Sequence, residues 1–315
     1  MSIDTPLERA SLAQLQQTPI DRVLNIIDEG LVHLPTYREL YYRWERQQWS
    51  AQEIDFSEDR KQWDNMSEDE HRMRIYGLSA FFKGEECVTN TLAPYVTAMP
   101  EDDMRIFLTT QLVDEARHTV FFERFFREVI GMEHVRLEDM LTVVEKNMND
   151  HLHYILVDAL NDVAERIRQE PSNLSHLVEG VTLYHIIVEA TMALSGQKNI
   201  LEVYRQENLF PAFRSGFTAV ARDESRHVIF GVKFLRDMIQ RDHAYATVVH
   251  DAINKYVQIS LDAITPAQEQ IPNILAQGGD PWFSPRYGLE SLTKKLRVVG
   301  LSMPLPTVPP PPVPA

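Results

Sequence analysis

The chain has 315 residues, of which 44% are hydrophobic and 24% charged, with 12 glycines and a formal net charge of −15. This composition predicts a helix-rich globular protein with a large core, and its acidity argues against nucleic acid and anionic membrane surfaces as partners. The single cysteine, Cys87, excludes an internal disulfide and favours a reducing cytoplasm. No signal peptide and no uninterrupted apolar run of about 18 residues is visible, so we expect no membrane span.

The hydrophobic pattern predicts an all-α fold, because no strand-like alternation of useful length is present. One or two short amphipathic helices precede an aromatic and charged segment at 37–63. Six long helices follow, at 67–98, 101–130, 137–169, 174–205, 212–241 and 243–264. Beyond Pro266 the pattern weakens. We therefore predict an N-terminal extension (1–36), a bundle (37–265), a C-terminal extension (266–302) and a proline-rich, disordered tail (303–315).

Two of these helices carry the same five-residue motif, D-E-x-R-H, at 114–118 and 223–227. Residues three apart lie on one face of a helix, so each Glu-x-x-His can offer a carboxylate and an imidazole to one metal ion. Chance alone gives about one such match in a chain of this composition. We assign the third match, Glu68 to His71, to chance, because Ser67 and Glu70 form a capping-box pattern at a helix start.

Two further helices each supply a lone glutamate, Glu85 and Glu189, ahead of Glu115 and Glu224. One Glu from each of two helices plus Glu-x-x-His from each of two others is the ligand pattern of dinuclear metal bundles. Four buried carboxylates would be costly alone, and two divalent cations would offset their charge. Carboxylate and imidazole ligands without a thiolate suit iron and manganese.

The aspartates of the two motifs fit a supporting role. A metal-bound histidine usually donates its outer ring N–H to a carboxylate, which orients the ring. We expect crossed pairs, Asp223 with His118 and Asp114 with His227.

Five landmarks together resemble the ferritin-like superfamily of ribonucleotide reductase small subunits, and within it the ligand-binding oxidases with a Mn/Fe centre. They are W-S-A-Q-E-I-D-F-S-E-D-R-K-Q-W (49–63), F-F-K-G-E-E-C-V (81–88), D-E-A-R-H (114–118), Y-H-I-I-V-E (184–189) and D-E-S-R-H (223–227). The resemblance covers about 37–241. It implies a ferritin-like bundle, a homodimer and six metal ligands, namely Glu85, Glu115, His118, Glu189, Glu224 and His227.

The resemblance selects Glu85 over its neighbour Glu86, since consecutive helical residues point about 100° apart. It also implies an ether cross-link between Val88 and Tyr184 beside the metals. Val88 lies three residues after Glu85, on the same helical face. Tyr184 lies five before Glu189, which is less clearly on that face, and His185, four before Glu189, is a geometric rival.

Two features argue against a reductase subunit. The radical-bearing tyrosine of the usual small subunit lies four residues after the first ligand histidine, where this chain has Phe122. A proline tail also replaces the segment that docks on the large subunit. A metal-radical subunit that lacks the tyrosine would carry phenylalanine there as well, so this alternative stays open.

We therefore expect an O2-dependent oxidase with Mn and Fe, or two Fe, that performs two-electron C–H oxidation. The implied ligand is a long apolar molecule such as a fatty acid, and an electron donor, not identified by the sequence, is required. The alternatives are a radical-generating reductase subunit, an oxygenase acting on amine nitrogen, which extra histidines near the metals would favour, and a metal-storage bundle. The proline tail could also be a ligand for a partner domain.

Overall fold

The computed structural model describes residues 6–276 and 278–312. All regular elements within these residues are helices, which confirms the predicted all-α class. Residues 1–5 of the predicted N-terminal extension and 313–315 of the predicted tail lie outside the described part.

Sixteen α-helices follow one another along the described chain. In order they are α1 (Leu12–Gln17), α2 (Ile20–Val32), α3 (Tyr37–Arg46), α4 (Ser57–Asp64), α5 (Glu68–Thr91), α6 (Ala93–Ala98), α7 (Asp102–Glu128), α8 (Leu137–Glu145), α9 (Asp150–His153), α10 (Leu160–Gln169), α11 (Leu174–Val181), α12 (Leu194–Gln206), α13 (Pro211–Arg241), α14 (Ala244–Ala263), α15 (Ile271–Ala276) and α16 (Phe283–Val299). Two π-helical segments, π1 (Tyr154–Ala159) and π2 (Thr182–Ala193), join α9 to α10 and α11 to α12.

Four of these elements, α5, α7, π2 and α13, form the centre of the bundle. Helix α5 begins with the capping box predicted from the sequence, in which Ser67 and Glu70 bind each other's backbone N–H groups. Helix α7 begins with Asp102 and Asp103, whose charge suits the helix N-terminus. Gly131, at φ +94°, turns the chain after α7 in a conformation that favours glycine.

Helix α13 is the longest of the four and is mostly buried. It starts at Pro211, and the carboxylate of Asp59 on α4 accepts hydrogen bonds from the backbone N–H groups of Ala212 and Phe213, at 3.0 and 2.7 Å. Almost all residues from Ala212 to Met238 are buried, including Arg222 and Arg226. This helix therefore runs through the core, with neighbours on every side.

The structure differs from the predicted helix bounds in three places. The predicted helix 67–98 breaks at Leu92, since Pro94 starts the short α6 in its first turn. The predicted helix 137–169 breaks at residues 146–149, where Asn149 caps a new helix through its side chain. The weak pattern beyond Pro266 hid α16, which packs against π2 and α13.

The continuous helix Leu174–Gln206 is long and apolar enough to cross a membrane, but 89% of its most apolar stretch is buried in the protein. It is the core helix that carries π2. Near the C-terminus, residues 301–312 form no helix, and Met303, Leu305 and Val308 pack against the core. The division of the chain at residues 36, 265 and 302 stays a prediction.

Candidate dinuclear metal centre

The first half of the candidate centre surrounds His118. Its Nδ1 lies 3.2 Å from Glu85 Oε2, 3.6 Å from Glu115 Oε2 and 3.5 Å from Glu224 Oε1. One ligand atom from each of these four residues lies within 4.8 Å of the others. Helices α5, α7 and α13 thus bring three carboxylates and one imidazole to a single point.

The second half surrounds His227. Its Nδ1 lies 3.2 Å from Glu115 Oε1, 3.4 Å from Glu189 Oε1 and 3.2 Å from Glu224 Oε2. These four residues form a second group of possible metal ligands. Since Glu115 and Glu224 direct one oxygen towards each histidine, the two halves share two carboxylates. This is the geometry of a site for two ions with bridging carboxylates.

Burial dominates the electrostatics of this cluster, since the six residues are at most 6% exposed. Burial raises the pKa of Glu85, and burial with repulsion from Glu224 raises the pKa of Glu189 to about 8. At Glu115 burial acts in the same direction, but hydrogen bonds from His118 and His227 outweigh it and hold the pKa well below its usual range. Such a cluster needs cations, either protons or metal ions.

The crossed aspartate contacts expected from the sequence are present. His118 Nε2 lies 3.4 Å from Asp223 Oδ2, and His227 Nε2 lies 3.1 Å from Asp114 Oδ2. The buried guanidinium of Arg226 joins the two aspartates, donating to Asp223 Oδ1 at 2.9 Å and to Asp114 Oδ2 at 2.7 Å. Both imidazoles therefore have their Nε2 side occupied by a carboxylate and direct Nδ1 towards the glutamates.

Two tryptophans make equivalent hydrogen bonds, one to each aspartate. Trp44 Nε1 donates to Asp114 at 3.0 Å, and Trp49 Nε1 donates to Asp223 at 2.7 Å. Arg117, on the outer side, lies 3.0 Å from Asp114 and 3.5 Å from Asp223. Each aspartate thus accepts from indole and guanidinium groups, and the cationic guanidinium of Arg226 helps to hold the pKa of Asp223 well below its usual range despite its burial.

Tyr184 reaches the glutamates, and its rival His185 does not. The Tyr184 hydroxyl donates to Glu115 Oε1 at 2.6 Å, whereas His185 Nε2 lies 3.1 Å from Gln111 Oε1. Gln111 Nε2 in turn donates to the Tyr184 hydroxyl and to Glu189 Oε1, both at 2.9 Å. The cause is π2, whose i→i+5 hydrogen bonds bring residues five apart, such as Tyr184 and Glu189, onto one face.

A cavity of about 410 Å³ opens onto the glutamates. Val88 and Tyr184 both line its inner end, together with Glu85, Glu115 and Glu189. Its walls are mostly apolar and come chiefly from α5, π1, π2, α12 and the segment 263–274. Their apolar residues include Ala80, Phe81, Leu156, Val188, Met192, Ala193 and Ile200.

The remaining residues considered in the sequence lie away from the centre. His71 stacks on Trp63, with ring centroids 4.0 Å apart, so the third Glu-x-x-His belongs to a local contact at the start of α5. Glu86 points to Lys83, 2.9 Å away, and not to the histidines. Cys87 is buried and has no disulfide partner.

Sequence reasoning missed Gln111, Trp44, Trp49 and Arg226 as parts of the site. Gln111 lies four residues before Glu115, so its helical face was a usable signal. Arg226 stands inside the motif itself, where a repeated Arg between Glu and His was visible. The tryptophans gave no such signal, because their contacts with Asp114 and Asp223 cross 70 and 174 residues of sequence.

Comparison with known proteins defines the class of this bundle. The family model for the ribonucleotide reductase small chain matches residues 32–276. The chain therefore belongs to the ribonucleotide reductase small chain family.

Solved structures share the fold over 84% of this chain and 93% of theirs. One is an R2-like ligand-binding oxidase variant with anaerobically reconstituted Mn/Fe cofactor, at 23% identity and a TM-score of 0.73. A second variant has an aerobically reconstituted Mn/Fe cofactor, at 24% identity and a TM-score of 0.69. A third holds a non-activated Mn/Mn cofactor, at 24% identity and a TM-score of 0.73.

Proposed function

We propose that this protein is an O2-dependent dinuclear metal oxidase that performs two-electron C–H oxidation on a long apolar ligand. One observation carries the proposal: the buried cluster of four glutamates and two histidines faces an apolar cavity. A purely structural cluster would have no reason to open onto such a space. A cavity of about 410 Å³ is within the range of small-molecule sites.

We propose Glu85, Glu115, His118, Glu189, Glu224 and His227 as the metal ligands. The fit is supported by the donor set and by Glu189 Oε2, a buried oxygen with no hydrogen-bond partner in the described residues. Oxygen and imidazole donors without thiolate suit Mn and Fe, or two Fe, and the related solved structures hold Mn/Fe or Mn/Mn. When bound, such metals supply the electrons and the sites for reducing O2.

The protein's own residues orient and protect this centre. Glu115 and Glu224 place one oxygen on each side, and Asp114 and Asp223 hold the outer nitrogens of the imidazoles. Gln111 holds the Tyr184 hydroxyl beside Glu115. The apolar walls of the cavity exclude water from the oxidant.

The shape and lining of the cavity support a chain-like ligand such as a fatty acid. Its apolar wall follows α5 from Met73, at the surface, to Glu85, a rise of about 18 Å along the helix. The alkyl chain would lie along this wall, and a carboxylate would meet the metals at the inner end. Gly77 and Gly84, seven residues apart, keep the wall open on the α5 side.

We propose that Val88 and Tyr184 join in an ether cross-link, and this reaction is the direct test of the oxidase. Both line the inner end of the cavity. After aerobic reconstitution with Mn(II) and Fe(II), peptide mass spectrometry should find a Val88–Tyr184 peptide pair lighter by two hydrogens, and a Tyr184→Phe variant should lack it. Full metal sites without this product would favour the radical-subunit alternative and remove both residues from the site.

Family membership also supports a second candidate, a radical-generating reductase subunit. Phe122 lies among aromatic rings with no hydroxyl, its ring centroid 6.2 Å from Phe81 and 5.6 Å from Phe217. Such a subunit would therefore lack the usual tyrosine. Co-purification with a large reductase subunit would support it. A nitrogen oxygenase is less favoured, since the third buried histidine, His185, contacts Gln111 and not the glutamates.

We propose that the protein acts in the cytoplasm as a homodimer and takes electrons from a donor protein or small reductant. A dimer surface is offered by the outer face of α7, where Ile106, Thr109, Val113, Ala116 and Val120 are all exposed. We call these five residues the α7 stripe. Their spacing of 3, 4, 3 and 4 is the pattern of a helix that packs on another helix.

The α7 stripe is suited to a second copy of the same chain. Its bulky apolar residues lie seven before and seven after Val113, so the pattern is symmetric about that residue. In an antiparallel pair, Val113 would lie on the two-fold axis and Ile106 would face Val120 of the other copy. No charged residue interrupts the stripe, although the chain carries a net charge of −15.

A further inference from the structure

A second cavity, of about 350 Å³, lies where the junction of α1 and α2 meets α12 and α13. It shares no lining residue with the cavity at the metal centre. Two arginines line it, Arg205 in the last turn of α12 and Arg214 in the first turns of α13. The proposed oxidase chemistry has no use for either of them.

Neither guanidinium group makes an ion pair or a side-chain hydrogen bond with any of residues 6–276 and 278–312. The Nε of Arg214 is buried without an acceptor. Burial lowers the pKa of Arg214, repulsion from Arg205 acts in the same direction, and attraction to the Asp59 carboxylate opposes both. A buried donor without an acceptor is costly, and a ligand or ordered water normally satisfies it.

The two acidic residues of this cavity share one ammonium group. Asp21 Oδ1 and Glu202 Oε1 lie 2.7 and 2.5 Å from the same ammonium group, Lys198 Nζ. Among the described residues, neither carboxylate forms an ion pair with Arg205 or Arg214. The hydroxyl of Thr218, a residue only 2% exposed, also lines the cavity and makes no hydrogen bond within the described chain.

We propose that this cavity binds the phosphate group of a small phosphorylated molecule. The two guanidinium groups would donate charge-assisted hydrogen bonds to its oxygens, as arginines do in phosphate sites, and the Thr218 hydroxyl would donate a third. The cavity is larger than a phosphate ion needs. The organic part of the ligand would lie against Ile20 and Leu201, which are also in the lining.

Inorganic phosphate is the probe for the anion-binding core of this site. Isothermal titration of the metal-loaded full chain, at constant ionic strength, should show saturable binding. Arg205→Gln and Arg214→Gln should each weaken it at least about tenfold, the loss expected for one charge-assisted hydrogen bond. The matched control, Arg241→Gln, removes the same charge from an exposed position at the end of α13 and should bind like the parent.

Two results would overturn the phosphate site. One is no saturable binding by the parent chain at millimolar phosphate. The other is equal binding by all four proteins, which would place the ion at the metal centre or on the surface in general. Because Arg205 is exposed, its variant remains informative even where Arg214→Gln fails to fold. Metal content measured in the same samples separates this result from a failure of the proposed oxidase.

Discussion

Glu115 is the residue on which both halves of the centre depend, because its two oxygens lie 3.6 Å from His118 Nδ1 and 3.2 Å from His227 Nδ1. Replacing it with alanine would remove one proposed ligand from each ion at once. We expect Glu115→Ala to bind neither metal when it is measured by elemental analysis after reconstitution. Glu123→Ala, further along α7 and paired with Arg127, should keep full occupancy. Full occupancy in Glu115→Ala would refute the ligand assignment.

Asp223 contacts the candidate centre through His118, and we expect its replacement to weaken metal binding without abolishing it. In Asp223→Asn the carboxylate that faces His118 Nε2 loses its charge, and the imidazole becomes a poorer and less ordered ligand. We expect metal affinity to fall about 10- to 100-fold, as measured by competition with a chromophoric chelator. The control is Asp139→Asn, an exposed position on α8. Equal affinities in the two variants would show that the crossed contact has no role.

At the level of single residues, the sequence could predict the six clustered residues but not all the side chains that contact them. The repeated motif and the two glutamates in apolar helices are visible in the sequence as a ligand pattern. Helical spacing alone brings Glu115 and His118 together. The indoles of Trp44 and Trp49 reach their aspartates only through the packing of α3 and the loop after it against α7 and α13. Such contacts depend on the tertiary structure and leave no local spacing to detect.

Among the elements, π2 shows most clearly where sequence periodicity was insufficient. An α-helical wheel separates Tyr184 from Glu189 and favours His185 as the nearer residue. The i→i+5 hydrogen bonds of π2 rotate Tyr184 onto the face of Glu189, and the rings of Tyr184 and His185 lie 4.5 Å apart but point to different partners. A π-helix has more residues per turn than an α-helix, and packing in the core sets this wider winding. The hydrophobic pattern of the sequence does not reveal it.

Helix α16 was missed for a related reason. Its buried residues Leu292, Leu296 and Val299 follow a helical period, but they come late, after a segment without clear periodicity. Elsewhere along its length, α16 packs against the core through small residues. Gly288 lies against the backbone of Thr191, and Ser291 donates to the carbonyl of Ala190 at 2.5 Å. Close packing by small residues is invisible to a search for apolar stripes.

Bound metals should also hold these elements together, because the proposed ligands come from α5, α7, π2 and α13. An ion that binds only the folded protein stabilises it by about 4 kcal/mol when its concentration is 1,000 times its dissociation constant. Removing the metals with a chelator should therefore lower Tm by about 5 °C or more in calorimetry. Glu115→Ala should show no such change. If the parent protein also keeps its Tm after complete metal removal, the centre does not hold these helices together.

For the molecule as a whole, the open question from the sequence was the oligomeric state. Helix α7 is apolar on two faces, and a periodic pattern cannot say which one is covered. The structure separates them: Phe121, Phe122 and Phe125 are buried in the core, whereas Ile106, Val113 and Val120 are 36 to 49% exposed. Association through this row would bury exposed apolar side chains, and the row itself carries no charge that would repel a second acidic chain.

The dimer prediction can be tested at the centre of the α7 stripe. In a two-fold antiparallel pair, Val113→Arg places two guanidinium groups next to each other on the axis, where they repel and lose water. We expect the parent chain to be a dimer and Val113→Arg a monomer by size-exclusion chromatography with light scattering. The matched control is Val143→Arg, which adds the same charge at a 45% exposed valine on α8 and should remain a dimer.

The metal centre reports whether that change is specific to the surface. Val113 is exposed beside the inward-facing Asp114 and Glu115, so a monomer with full metal occupancy and unchanged helicity would show that only the outer face of α7 was altered. A parent chain that is already monomeric at micromolar concentration, or a Val113→Arg variant that stays dimeric, would reject the α7 stripe as the interface. A monomer that has lost its metals would show that the substitution acted through Glu115, and Val120→Arg, more than a helical turn beyond it, would then decide the question.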